Sequence, residues 1–458
     1  MSGPLRLVPG DGDTLPFLSA PLPRPRGRTR PSWAADPIDD LAERLVEPIA
    51  SAVHPYEVAA LLESDGLTGE QIRERYSRPD LFTLAEDLYA RVPRHYPRPP
   101  AVPDPWRADP VRCALRGLVF AMPGLAYVLG AGLWQGAAGV AGLVASGLTA
   151  WAWNQALGHR AHVRLGADGT SAAARALAIG APAGALVASV VGLAVAGPGA
   201  GAAFAAGQCC YLAAATVLLV LGRERVLLAA LLPVTAGAAA VPVVRPPASL
   251  AVALLLLTVV AAAVAAGHAV RGAFRSGPPA GGNRSGLLRS LPYGVFGLAA
   301  GVLAALTGAD DAGLVVVLTL SMGFAEWLLY RYRSLALAAL RGSVGMRHFA
   351  LRATRALVLC LGAYVACLAV AAPVLGAGLA AVLSLLALGA VLWTALLLQA
   401  FSSAWVPALV TLLAAAAEAG AEVAGLPTDP VRIACRTAAA AVLVVTAVRQ
   451  LGLPTAHR

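Results

Sequence analysis

Residues 250–267 carry no charged side chain, and runs of this kind recur along the chain from 113 to 450. Crossing about 30 Å of hydrocarbon takes roughly 20 residues at about 1.5 Å per residue. In lipid every backbone N–H and C=O must be satisfied within the segment, so such runs are helices. The whole chain agrees, with 58% hydrophobic residues, 13% charged residues and a mean hydropathy of +0.70. The sequence therefore predicts an all-α, polytopic membrane protein of about twelve transmembrane helices. The expected spans are 113–133, 136–157, 175–196, 199–221, 225–243, 248–268, 288–307, 312–330, 353–373, 376–398, 404–423 and 431–450.

Charge gives these spans a direction. All 35 basic residues are Arg, and the net charge is +10. Residues 1–112 hold 14 Arg against 17 acids, whereas 113–458 hold 21 Arg against 8 acids. The connections alternate: 18 Arg fall on one side, and Arg245, Arg432 and Arg436 on the other. By the positive-inside rule both termini are expected in the cytoplasm of a bacterial cell, with the protein in the cytoplasmic (inner) membrane. The excess charge lies in membrane-flanking loops, which fits no nucleic-acid partner. The six Cys show neither CxxC nor Cys/His spacing, so no metal site is expected.

The remainder of the chain divides by composition. Residues 1–35 contain seven Pro and no apolar periodicity, and are expected to be a disordered tail without a signal peptide. Residues 36–92 read as a small cytoplasmic helical domain. Asp36-Pro37 is an N-cap followed by Pro at the first helical position, Thr68 to Gln71 is a capping box, and Leu81, Leu84, Leu88 and Val92 share one face. The domain is either a passive extension or a docking module for a cytoplasmic protein partner. Residues 93–112 form a Pro-rich linker. The membrane part then splits into a first bundle at 113–270, a connector at 271–287, a second bundle at 288–450 and a tail at 451–458.

The two bundles carry matching landmarks. Leu115-Arg116-x-Leu118 with Gly124-Leu125-Ala126 opens the first, and Leu288-Arg289-x-Leu291 with Gly297-Leu298-Ala299 opens the second. Gly147-x-x-x-Trp151 matches Gly323-x-x-x-Trp327, and Arg175-Ala-Leu matches Arg355-Ala-Leu. Three matches in one order indicate a duplicated six-helix unit. Because each half has an even number of spans, the repeats share one orientation.

Two tandem six-helix bundles with cytoplasmic termini resemble the multidrug/oligosaccharidyl-lipid/polysaccharide flippase superfamily, which includes the Wzx-like flippases, and also the major facilitator superfamily. The resemblance is architectural and covers about 113–450. Facilitators usually carry Gly-x-x-x-Asp-Arg-x-Gly-Arg after span 2. Here that loop runs from Gly158-His-Arg-Ala-His to Gly166-Ala-Asp168-Gly and lacks the Asp-Arg pair. The flippase resemblance implies transport of a lipid-linked saccharide or a similar amphiphile by alternating access. A small-molecule or drug carrier and a non-transporting scaffold docked through 36–92 are the alternatives.

An anionic cargo needs cations facing a cavity, and Arg116 and Arg289, at equivalent repeat positions, are the substrate-binding candidates; anchoring at the headgroups is the competing role. Glu326, within span 8, is the ion-coupling candidate, or else pairs with a loop Arg near the interface. Glu418 and Glu422 with Arg432 and Arg436 are expected to form an external salt-bridge cluster, and Asp310-Asp311 a solvated turn. Trp151, Trp153, Trp327, Trp393 and Trp405 are expected in aromatic belts. No Walker A, HExxH or GxSxG motif is present, so neither an enzyme nor a cofactor is expected.

Overall fold

The computed structural model describes residues 36–95, 104, 107, 109–244, 246–275 and 287–457. The expected tail at 1–35, most of the Pro-rich linker, Arg245, Arg284 and Arg458 lie outside the described residues. The described residues are helical and fall into two compact units, one holding 36–95 and the other Asp104 onward.

The smaller unit has five helices, α1 (Pro37–Arg44), α2 (Val46–Ser51), α3 (Pro55–Ser64), α4 (Gly69–Tyr76) and α5 (Leu81–Arg91). The starts of α1, α3, α4 and α5 are set by side chains that replace the missing intrahelical partners. Asp36 Oδ1 accepts from the Ile38 N–H at 3.0 Å, and Asp80 Oδ1 from the Thr83 N–H at 2.8 Å. Thr68 and Gln71 form a reciprocal capping box at 3.1 and 3.3 Å. Ile38, Leu41, Ile49, Val58, Leu62, Ile72, Leu84 and Leu88 then bury a shared core.

The larger unit is a polytopic membrane bundle. Span 1 is broken into α6 (Pro110–Ala121) and α7 (Leu125–Leu129) by a 3₁₀ turn at Met122–Gly124. Spans 2, 3 and 4 are α8 (Ala137–Asp168), α9 (Thr170–Ala196) and α10 (Ala200–Val220). Span 5 is α11 (Glu224–Ala230) and α12 (Leu232–Ala240), interrupted beside Pro233, which has no N–H for the ladder. Span 6 is α13 (Ala248–Phe274). Spans 7 to 12 are α14 (Leu291–Asp310), α15 (Ala312–Arg341), α16 (Met346–Val374), α17 (Leu379–Ala400), α18 (Trp405–Val423) and α19 (Thr428–Leu451). Among the described residues ten helical segments are long and apolar enough to cross a membrane. The other two expected spans coincide with α8, which carries His159, Arg160, His162 and Arg164, and with the broken α11–α12.

The packing repeats as the sequence does. In the first half spans 1–5, 2–3, 2–4, 3–4, 3–6, 4–5, 4–6 and 5–6 touch; in the second, 7–11, 8–9, 8–10, 9–10, 9–12, 10–11, 10–12 and 11–12 touch. Each of these pairs becomes its counterpart on adding six; the contacts of span 1 with span 6 and of span 7 with span 8 are not matched to the same degree in the other half. Between the halves span 1 packs on span 8 and span 2 on span 7, and these two seams exchange under the same operation. Each half also owns its core. Val119, Leu177, Leu218 and Leu227 belong to one buried cluster, and Leu303, Leu385, Trp393 and Leu443 to another.

Candidate functional site

Small and polar residues line the seams between the halves. A Cβ built on Gly117 would lie 3.0 Å from Gly323 Cα, and one on Gly323 would lie 2.6 Å from the Cys113 carbonyl oxygen. No side chain larger than hydrogen fits at Gly323 unless the backbones part. Along the other seam Gly294, Gly297 and Gly301 of α14 receive Ala152, Gln155 and Leu148 of α8. His159 stacks on Tyr293 at 3.7 Å between ring centroids, and its Nδ1 lies 3.0 Å from Ser290 Oγ.

The Gly117–Gly323 crossing brings charges together. Asp109 caps α6 by accepting from the Val111 and Arg112 N–H groups, at 3.0 and 3.2 Å, and Pro110 takes the first helical position. This start directs Arg112 and Arg116 towards span 5. Arg116 donates through Nε (3.1 Å) and Nη2 (2.8 Å) to Glu224 Oε1, and through Nη1 to Glu326 Oε1 across the seam. Arg112 Nη2 donates to the same Glu224 oxygen at 3.0 Å. The side chains of Arg116, Glu224 and Glu326 are only 11%, 8% and 18% exposed. Two guanidiniums and two carboxylates balance in charge, which a buried ionic group requires. A cleft lined by Asp109, Arg112, Leu115, Arg223 and Glu224 opens beside this network.

The structure thus joins two of the three predicted site residues, Arg116 and Glu326. Arg289 is exposed on the 3₁₀ turn before α14 and is not part of the network. Glu326 lies in the middle of α15, which continues to Arg341, and pairs with Arg116 of span 1 rather than with a loop Arg. Glu224 escaped sequence reading because Arg223 and Arg225 flank it and make it look like one more loop charge. The available signal was its rarity, since 113–458 contain only 8 acids.

A second network occupies the opposite end, wholly within the second half. Arg436 holds Glu418 in a two-pronged pair at 2.9 and 2.8 Å and also donates to Ser384 Oγ at 2.9 Å. Arg432 pairs with Glu422 at 2.8 Å and with Asp310. Asp310 is therefore an ion-pair partner and not simply part of a solvated turn, while Asp311 caps α15 through the Gly313 N–H at 2.8 Å. Trp393 is not in an aromatic belt: it is 1% exposed and donates to the Ala325 carbonyl at 3.2 Å.

No protein-family model matches this chain, and no curated protein matches it. A solved structure, the crystal structure of a MATE mutant, is 13% identical and covers 76% of this chain and 97% of that one with a TM-score of 0.42. A likeness of that degree carries no argument about function.

Proposed function

We propose that this protein is a membrane transporter that moves a lipid-linked saccharide, or a similar anionic amphiphile, between two rocking halves. The observation that carries this reading is the division into halves with separate cores, meeting along glycine-rich seams with charges at their crossing. A rigid scaffold has no need of an interface so poor in shared apolar core, whereas alternating access works by parting and re-forming such seams. The 18 to 3 distribution of Arg supports an orientation with both termini in the cytoplasm.

Within this reading Arg116 is the contact for the cargo's anionic group, because a guanidinium offers two parallel donors to a phosphate. Glu326 is the coupling carboxylate, since protonation would remove the charge that binds Arg116 across the seam. Arg289 stands at the exposed entrance of span 7.

The test compares surface polysaccharide and lipid-linked sugar in cells with and without the protein, and with Arg116→Gln plus Arg289→Gln. Loss of surface polymer with the lipid-linked intermediate accumulating inside is expected for the deletion and the double variant. Unchanged pools would overturn the saccharide reading and favour a small-molecule carrier. A docking role for 36–92 is the second reading, supported by the edge-packed Tyr56 and Phe82, 64% and 55% exposed on the small domain. It requires deletion of 1–110 to cost more function than the double Arg variant.

A further inference from the structure

The network of Arg116, Glu224 and Glu326 ties the halves together towards one end of their interface. The two pieces of span 1 have different partners. α6 packs on α15 of the other half and on α11, whereas α7 packs on α12 and α13 of its own half. The 3₁₀ turn at Met122–Gly124 is thus where span 1 leaves the seam. Within the network, the Arg116–Glu224 bonds stay inside the first half and only the Arg116–Glu326 bond crosses. Nε, Nη1 and Nη2 of Arg116 are all engaged by carboxylate oxygens. Carboxylate and phosphate oxygens present the same acceptors to a guanidinium. Glu326 therefore occupies a position on Arg116 that an anionic headgroup would take.

We infer that Arg116, Glu224 and Glu326 form a latch that holds the Arg-rich end of the interface closed, and that an anionic headgroup reaching Arg116 opens it by displacing Glu326. The displacement rests on the anionic-cargo reading above; the latch does not. Glu224 is the fixed part, holding the Arg116 side chain in place while its cross-seam bond breaks. Glu326 is the releasable part. Gly117 and Gly323 make the latch possible by allowing α6 and α15 to approach until the cross-seam pair forms.

The chain contains its own reporter. Cys113 is 4% exposed on α6, with its backbone against Gly323, so parting of α6 from α15 uncovers its thiol. Cys209 is fully buried between α8, α9 and α10 inside the first half and reports on the integrity of that half. The experiment uses the full chain in lipid vesicles with Cys210, Cys360, Cys367 and Cys435 replaced by Ala, and follows maleimide labelling at each remaining Cys by mass spectrometry. Glu326→Gln is expected to accelerate labelling of Cys113 on the order of tenfold and to leave Cys209 slow, while Glu326→Asp keeps Cys113 closer to its original rate. An unchanged Cys113 rate in Glu326→Gln overturns the latch. So does acceleration at both cysteines, which would mean that the charges hold the fold rather than a gate. Adding an alkyl diphosphate to the protein with its charges intact is expected to speed Cys113 as Glu326→Gln does. If it does not, while Glu326→Gln does, the latch stands and displacement by anionic cargo fails.

Discussion

Arg436 and Glu418 are 1% and 0% exposed at their side chains, and each is the other's charge partner. Removing one partner leaves an ion stranded in a low-dielectric interior, which costs about 3–5 kcal/mol. Glu418→Gln is therefore expected to lower the melting temperature of the detergent-solubilised protein sharply, and Glu418→Leu with Arg436→Leu to lower it less than the single change. A double variant as damaged as the single one would contradict this account. Asp36 of the small domain works in water instead. The Ile38 N–H and then the Arg91 guanidinium hold its carboxyl below the ordinary carboxylate pKa. Because the folded value is the lower one, its contribution is complete above the usual carboxylate pKa of about 3.9 and is lost as pH falls through the folded value. Hydrogen exchange of the α1 amides should show protection declining in that acidic window. Asp36→Asn should flatten the decline, since Asn keeps the cap but not the charge that Arg91 meets.

At the scale of the helix, the Gly117–Gly323 crossing sets what α6 and α15 tolerate. A methyl group at Gly323 would meet the Cys113 carbonyl at 2.6 Å, so Gly323→Ala forces the helices apart and is expected to cost about 1–3 kcal/mol. Gly158→Ala, with nothing within 4 Å of the added carbon, is the control and should melt like the parent. Membrane-spanning helices were legible in the sequence because apolar length has one solution in lipid, and ten of the expected spans meet that condition among the described residues. Their ends and faces were less so. Hydropathy falls at the first charges, yet α8 runs on to Asp168 and α15 to Arg341 as ordinary helix, which is why Glu326 looked close to a helix end and lies mid-way along one. Trp393 sits in a span apolar all round, where no periodic contrast tells the buried face from the lipid face, so its burial against Ala325 could not be read from the sequence.

For the molecule as a whole, movement of one half against the other is the property to test. The Cβ position of Gly294 lies 3.3 Å from Ala156 Cβ across the span 2–7 seam, close to the roughly 3.5–4.5 Å of a disulfide. Ala156→Cys with Gly294→Cys, oxidised, is expected to stop export in cells or vesicles, and reduction is expected to restore it; undiminished export by the cross-linked protein would contradict rocking halves. The sequence by itself determined the membrane-spanning class, the approximate number of helices and the duplication, because backbone desolvation and repeated landmarks act locally and leave their mark in order along the chain. It also marked Arg116 and Glu326 as exceptional, since charges within apolar runs are rare. Only the tertiary structure decided that these two residues meet, that Glu224 completes their network and that Arg289 stands outside it. Arg116 and Glu326 lie 210 positions apart, and which side chains pair over such a distance depends on how two glycine-bearing helices cross, a property of packing that no single segment carries.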